Sequence, residues 1–441
     1  MGRSTNITEY SERFALFSGE TLYSNLDPSL QENIQEIGFK HRLTFQELRQ
    51  ITEIAADLQM WEEPGLLEQW SELEKSLAGN GQPVKKILFR KLKDRWHSLK
   101  NSRTVYKSGQ VSDRPSVSSR KKVTVQDSDN TVFGWCPVAS EKTICCNLRT
   151  IDAVQGCSLG CSYCSIQNFY DSKHIPVDEN LHEKLQSITL NPQKRYHIGS
   201  GQSSDSLLLG NKNGVLDAQF DFARNNPNIV LELKTKSKNI TWLLEANVPK
   251  NVFVSWSLNP QIIIENEEHL TASENDRLRA ARTAADKGIR IGFHFHPMVY
   301  YDSWRDDYEQ LIGRVLSTFS PDEVALVSFG TLTFTKPVVN NLRLKGVQSK
   351  VLQIPMEDAA GKLSYPFHIK EEMFTTAWEA FRQWRDQVFF YFCMEDRKLW
   401  ESVFGYCYEK NEEFEDALCN QVFQKLNGHG KKKLSSQDEL N

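Results

Sequence analysis

The chain has 441 residues, a formal net charge of −4, 39% hydrophobic and 25% charged residues, enough for two or three folded domains with a large buried core. No run of about 18 apolar residues occurs, which excludes a membrane-spanning helix. Nine cysteines, an odd count in a long chain that opens without a secretory leader, argue against a disulfide framework and for a reducing, cytoplasmic setting.

Residues 1–106 read as helices. Leu43, Phe45, Leu48, Ile51, Ile54, Ala55 and Leu58 recur at three- and four-residue spacing and form one apolar stripe. Thr44, three residues before Glu47, fits a capping box. A further helix is predicted from about Pro83 to Leu99, with Ile87, Leu88, Leu92 and Trp96 on one face and a basic face opposite. Between Lys85 and Lys122 thirteen Lys and Arg residues stand against Asp94 and Asp113. The segment 85–122 is therefore a candidate phosphate-contacting surface, a solvated helix face being the plainer alternative. Residues 107–130, rich in Ser, Lys and Asp with few apolar side chains, read as a mobile linker.

Over residues 131–365 six strand-like segments recur with helical or loop material between them, as a parallel β/α design requires. They are 148–154, 195–198, 229–233, 252–255, 289–294 and 323–329. A crossover helix is predicted over 273–287, with Leu278, Ala281, Ala284 and Ala285 inward and Gly288 just beyond its end. After the first strand, Cys157, Cys161 and Cys164 place three sulfurs within eight residues, close enough to converge on one soft centre. Iron–sulfur clusters usually take four thiolates, so three leave one iron open. A four-ligand zinc site recruiting Cys145, Cys146 or His174 is the alternative.

Ser204 and Asp205 follow the second strand, Lys236 the third, Ser257 and Asn259 the fourth and His296 the fifth, so all gather at the C-terminal mouth of a barrel. There the Lys236 ammonium suits a carboxylate partner. Gly199-Ser200-Gly201 would allow close backbone approach to a ligand. His294 and His296 share a strand face, as polar lining or as a metal pair, with Phe293 and Phe295 on the other. Residues 366–428 read as helices carrying an aromatic core stripe of Trp378, Phe381, Trp384, Val388, Phe389 and Phe392, and 429–441 as a disordered tail.

Cys-x3-Cys-x2-Cys with Tyr163 just before the last cysteine resembles the signature of radical S-adenosylmethionine (SAM) enzymes. Gln202-Ser203-Ser204-Asp205, Thr235-Lys236-Ser237, Trp256-Ser257-Leu258-Asn259, Phe293-His294-Phe295-His296-Pro297 and Cys393-Met394-Glu395 with Trp400 and Phe404-Gly405 resemble, in the same order, their counterparts in spore photoproduct lyases. The resemblance covers about residues 145–410. It implies an α/β fold, a partial (β/α)6 TIM-like barrel of radical SAM type with an N-terminal helical extension and C-terminal helices. It implies a [4Fe–4S] cluster on Cys157, Cys161 and Cys164, and SAM held by Tyr163, Ser204, Lys236, Ser257 and Asn259. The activity implied is reductive cleavage of SAM to a 5′-deoxyadenosyl radical, DNA as the partner, a thymine lesion as the substrate, and a flavodoxin or ferredoxin as the electron donor.

Two positions depart from that family. Gln202 stands where a hydrogen-donating cysteine is expected, and Ser165 where a tyrosine of the radical relay is expected. Tyr163 remains as the catalytic candidate, and the thiols of Cys136, Cys145, Cys146, Cys393, Cys407 and Cys419 are available in principle. A radical enzyme acting on another nucleoside or a peptide, and a non-enzymatic iron–sulfur or zinc protein that binds nucleic acid, are the rival readings.

Overall fold

The structure, a computed structural model, describes residues 2–77, 84–109, 121–127, 131–136, 143–165, 173–359 and 361–428. The predicted helix start at Pro83, most of the expected linker and the expected tail 429–441 lie outside the described residues. The chain divides into two compact units, Met1–Val105 with Phe334–Met356, and Tyr106–Thr333 with Glu357–Asn441.

The first unit is helical: α1 (Gly2–Gly19), α2 (Pro28–His41), α3 (Phe45–Met60), α4 (Leu66–Leu77) and α5 (Val84–Asn101). The capping box at the start of α3 forms, with the Glu47 carboxylate accepting from the Thr44 backbone N–H at 2.8 Å. That arrangement satisfies amide groups which the first helical turn leaves without partners. Leu43, Leu48, Ile51, Ile54, Ala55 and Leu58 are buried as the spacing predicts, and Leu88 and Leu92 of α5 join the same core. Asp57, also buried, accepts from Arg343 at 2.7 and 2.9 Å and from the Trp96 indole at 3.0 Å.

Arg343 lies on the helix Lys336–Lys345. The segment 334–356, expected to belong to the 131–365 barrel, therefore completes the helical unit instead. The physical reason is a buried carboxylate on α3 that needs a cation in its dry surroundings.

The second unit carries β1 (Lys122–Gln126), β2 (Phe133–Trp135), β3 (Arg149–Ile151), β4 (His174–Asp178), β5 (Tyr196–Ser200), β6 (Ile229–Thr235), β7 (Val252–Ser257), β8 (Arg290–Met298) and β9 (Val324–Thr331). All six predicted strands are present, as β3 and β5 to β9, and they pair in parallel in sequence order. β7 and β9 are almost wholly buried, because helices cover a parallel sheet on its outer side while side chains fill its inner face. Among the described residues the sheet has eight strands, β2 antiparallel at one edge and a strand Phe389–Phe392 parallel to β9 at the other.

Two expectations are corrected by these strands. Residues 122–126, placed in a mobile linker, form β1 and pair in parallel with β4; Val123 and Val125 supply the β-branched residues that such pairing favours. Residues 389–392, placed in a helical region, are a strand, since four consecutive aromatic residues suit a pleated, two-sided burial. The stripe otherwise packs as predicted, with Phe381, Trp384, Val388 and Phe392 buried. Helices Phe367–Ala380, Arg397–Phe404 and Asn411–Leu426 follow the barrel. Among the described residues no helix is long and apolar enough to cross a membrane.

Candidate active site

Cys157, Cys161, Cys164, Tyr163, Ser204, Lys236, Ser257 and Asn259 lie on loops or strand ends at the C-terminal side of the parallel strands. His294 and His296, the latter expected just after the fifth strand, instead lie within β8, which runs on to Met298. The loop after β3 carries Cys157, Cys161 and Cys164, with Gly156 and Gly160 in the positive-φ conformations that let it turn sharply. Cys161 bridges to Glu268, and the Ser162 N–H donates to the Glu267 carbonyl at 2.8 Å. Cys157 and Cys164 both act electrostatically on Cys161, so the three thiols share one neighbourhood. Among the described residues no three Cys, His, Asp or Glu side chains are already gathered as tightly as a metal ion requires. Burial pushes the Cys157 thiol up to about 12 and the Cys161 thiol well above its ordinary value.

The neighbouring carboxylate is Glu268, fully buried. Lys236 Nζ stands 2.7 Å from its Oε1 and 2.6 Å from the Tyr163 hydroxyl. Tyr163 and Arg277 also donate to this carboxylate, and Asn259 Nδ2 donates to it at 2.8 Å. Burial alone would raise the Glu268 pKa, but the Arg277 and Lys236 charges overturn this and hold it far below the usual carboxylate range. Three expected residues, Tyr163, Lys236 and Asn259, are thus brought together on a fourth that sequence reasoning did not single out.

The other candidates stand differently. Ser257 turns its hydroxyl to the His296 carbonyl at 3.0 Å, and its own carbonyl accepts from Arg277 at 2.8 Å. Among the described residues the buried Ser204 hydroxyl has no hydrogen-bond partner. Asp205 accepts from the Thr235 hydroxyl at 2.8 Å and from the Lys236 backbone N–H at 2.6 Å, fastening the loop after β5 to the end of β6. Gly201 has a local role: at φ +88° an added Cβ would meet the Lys234 carbonyl at 2.7 Å. Only glycine lets this loop lie against β6.

Glu232 and Lys234 share the face of β6 that carries Lys236. Glu232 accepts from His197 at 2.8 Å and from His294 at 2.6 Å. Burial would raise its pKa, but Lys234 and His294 keep it well below the carboxylate range. His294 and His296 stack 5.8 Å apart on one face of β8, while Phe293 and Phe295 pack outward against Phe319 and Phe381. Burial lowers the His296 pKa to about 3, and a Cβ at Gly330 would collide with its imidazole. His296 is therefore a neutral lining residue seated over a glycine.

Two signals in the sequence point to the residues that were missed. Glu267 and Glu268 sit at the C-terminus of the helix Gln261–Glu267, where a helix dipole disfavours negative charge, so they need partners from elsewhere: Lys236 and Arg277 for Glu268, the Tyr106 and Ser162 hydroxyls for Glu267. Arg277 lies one turn from Ala281 on the apolar stripe of the helix Glu274–Asp286, a cation on a face that is otherwise buried.

A family model described as "Spore photoproduct lyase" matches residues 145–363. The chain is similar to spore photoproduct lyase from Clostridium acetobutylicum, at 23% identity over 223 residues covering 48% of this chain and 63% of that protein. It is also similar to the Bacillus subtilis protein of the same name, at 23% over 189 residues covering 41% and 55%. It thus spans less than two thirds of the length of these curated relatives. A solved spore photoproduct lyase complexed with dinucleoside spore photoproduct matches with a TM-score of 0.53 at 21% identity, covering 61% of this chain and 82% of that one. A mutant with bound AdoMet and dinucleoside spore photoproduct matches at 0.52 and 22%, with the same coverage. These structures share the half-barrel fold. Residues 145–363, just short of half of the chain, thus carry the pattern of the spore photoproduct lyase family.

Proposed function

We propose that this chain is a radical SAM lyase acting on a thymine lesion in DNA. The observation that carries the reading is the three-cysteine loop at the mouth of a parallel half-barrel, against the Tyr163–Lys236–Glu268 network. The donor set fits a [4Fe–4S] cluster: Cys157, Cys161 and Cys164 are soft ligands on one loop, and metal coordination deprotonates thiols that burial otherwise holds protonated. Bound at this mouth, cluster and SAM would supply a primary carbon radical.

The protein's own part is orientation and exclusion of water. Lys236 and Arg277 both pair with Glu268, and the Lys236 ammonium at this mouth is the group that suits the carboxylate of the methionine moiety. The Ser204 hydroxyl, without a hydrogen-bond partner among the described residues, offers one to the same ligand. Asn259 and Ser257 fix the walls, Asn259 being held in turn by the Tyr308 hydroxyl at 2.7 Å. Lys236→Ala is expected to weaken SAM binding roughly tenfold or more, as loss of a charge-assisted contact does, without lowering iron content. Titration calorimetry on reconstituted protein checks this, and unchanged affinity removes Lys236 from the cofactor site.

The dinucleoside lesion bound by the solved relatives points to DNA as the substrate. A duplex target would have to be extruded at a cost of a few kcal/mol. Lys86, Arg90 and Lys93 form an exposed row on α5, whereas Lys85 and Arg95 are engaged with Glu47 and Glu72. Replacing the three exposed residues with Gln is expected to reduce the slope of log K against log salt by about 2 to 3. Fluorescence anisotropy with duplex DNA measures the slope, and an unaltered value would assign this face to solvation alone. In a cytoplasmic setting a flavodoxin or ferredoxin is the electron donor expected.

The decisive assay is anaerobic: reconstituted protein, dithionite and SAM, scored for 5′-deoxyadenosine. Intact SAM would favour a non-enzymatic metal protein. The loss of the family cysteine at Gln202 favours a second reading, a radical enzyme with another nucleoside or peptide substrate. Accumulation of 5′-deoxyadenosine while a dinucleoside spore photoproduct stays unchanged would select it.

A further inference from the structure

Ser162 and Tyr163, the two residues between Cys161 and Cys164, are held by two neighbouring carboxylates. Tyr163 donates to Glu268, and the Ser162 hydroxyl donates to one oxygen of Glu267. The backbone repeats the grip: the Ser162 N–H donates to the Glu267 carbonyl at 2.8 Å, the Leu270 N–H donates to the Leu159 carbonyl at 3.0 Å, and Cys161 bridges to Glu268. Lys236 and Arg277 anchor Glu268. Glu267, also buried, is anchored from another direction.

Its second oxygen accepts from the Tyr106 hydroxyl at 2.9 Å. Tyr106 opens the second unit and stands well before the family-matched residues 145–363. Three contacts fasten its stretch along the helix Gln261–Glu267: Tyr106 on Glu267, the Asn266 side-chain amide on the Lys107 carbonyl at 3.2 Å, and the Gly109 N–H on Glu265 at 3.4 Å. The Tyr106 ring meets the Tyr301 ring edge-on, with centroids 5.6 Å apart. Burial pushes the Tyr106 pKa well above the ordinary phenol value, so the hydroxyl keeps its proton and stays a donor.

We infer that Tyr106 is a positioning residue for the metal centre: through Glu267 its hydroxyl fixes Ser162, and so keeps the Cys161–Cys164 stretch ordered for iron. The role rests on the radical reading above. Gly156 and Gly160 permit the turn of the cysteine loop but do not enforce it, since glycine reaches many other conformations. Ordering a loose backbone costs conformational entropy at every residue, and that cost is subtracted from metal affinity. The order therefore has to come from outside the loop. Glu267 accepts from both sides, so without the Tyr106 donor its carboxylate is free to rotate, and Ser162 loses its fixed acceptor. Partners of this indirect kind typically change metal affinity by about 10- to 100-fold.

The test compares Tyr106→Phe with Tyr301→Phe. Each removes one hydroxyl and keeps the packed rings, but the Tyr301 hydroxyl donates to Asp307, at 2.7 Å, and not to Glu267. Reconstituted full-length protein is challenged anaerobically with a ferrous chelator, and iron loss is followed by absorbance. Tyr106→Phe is expected to lose iron roughly tenfold faster than wild type or more, and Tyr301→Phe at the wild-type rate. Glu267→Gln, which keeps one acceptor oxygen of the two, should also lose iron faster than wild type. Wild-type kinetics in Tyr106→Phe would overturn the assignment. Equal acceleration in the two tyrosine variants would overturn it as well, by showing general loosening of the fold.

A wild type that takes up no iron would sink the radical reading itself. The unloaded protein then still decides the brace, through the rate at which iodoacetamide alkylates the buried Cys161. Tyr106→Phe is expected to speed that reaction by about 3- to 10-fold over both wild type and Tyr301→Phe, as loss of one net hydrogen bond from a locally opening segment does. An unchanged rate would refute the brace.

Discussion

Cys161→Ala is expected to abolish bound iron and 5′-deoxyadenosine formation together. Of the three loop cysteines this one is buried, and its backbone is fixed by the bridge to Glu268 and by the bond from Ser162 to Glu267. The loop therefore cannot slide to offer another sulfur in its place. Two remaining thiols hold a four-iron cluster too weakly to survive desalting, because each lost ligand removes binding free energy that the folded site had pre-organised. Iron analysis after anaerobic reconstitution, with chromatography of the nucleoside products, makes the measurement. Iron at the wild-type stoichiometry in this variant would mean that the cluster sits elsewhere.

Glu268→Ala is expected to destabilise the second unit by about 3–5 kcal/mol, since it leaves a buried cation without its partner. Arg277 is fully buried, and its other bonds run to the carbonyls of Ala272 and Ser257 at 2.9 and 2.8 Å and to the Thr271 hydroxyl. Those acceptors cannot neutralise a guanidinium. Arg277→Met in the Glu268→Ala background should recover part of the loss, as replacing both members of a buried pair often does. Amide exchange of β6 and β7 reads the effect without averaging over the helical unit. Single and double variants of equal stability would show the pair to be energetically idle.

The same carboxylate sets an acid limit. Its folded pKa lies below the unfolded value because of Arg277 and Lys236. The stability it contributes is therefore complete above the unfolded carboxylate value of about 4 and is lost as the pH falls below it toward the folded value.

The half-barrel was legible because its strands are short apolar runs separated by turn residues and helical patterns, and all six were found. The cysteine loop was legible because its ligands are neighbours in sequence. Glu268 and Arg277 were not, because their meaning depends on Tyr163, 105 residues before Glu268, and on Lys236, 32 before it. Phe389–Phe392 was misread because a run of four aromatic residues beside helical segments carries no period of its own. The departure of 334–356 from the barrel was hidden for a similar reason: the helix Lys336–Lys345 looks like any crossover until Asp57, 286 residues before Arg343, is seen to claim it.

That excursion makes the helical unit discontinuous in the gene. Cutting the chain after Val105 would not release a whole module: Val338, Val339 and Leu342, now buried, would lose their cover, and Arg343 its counter-ion. Any attempt to ask what the helices do by removing them must excise two pieces and splice the barrel shut between Thr333 and Glu357.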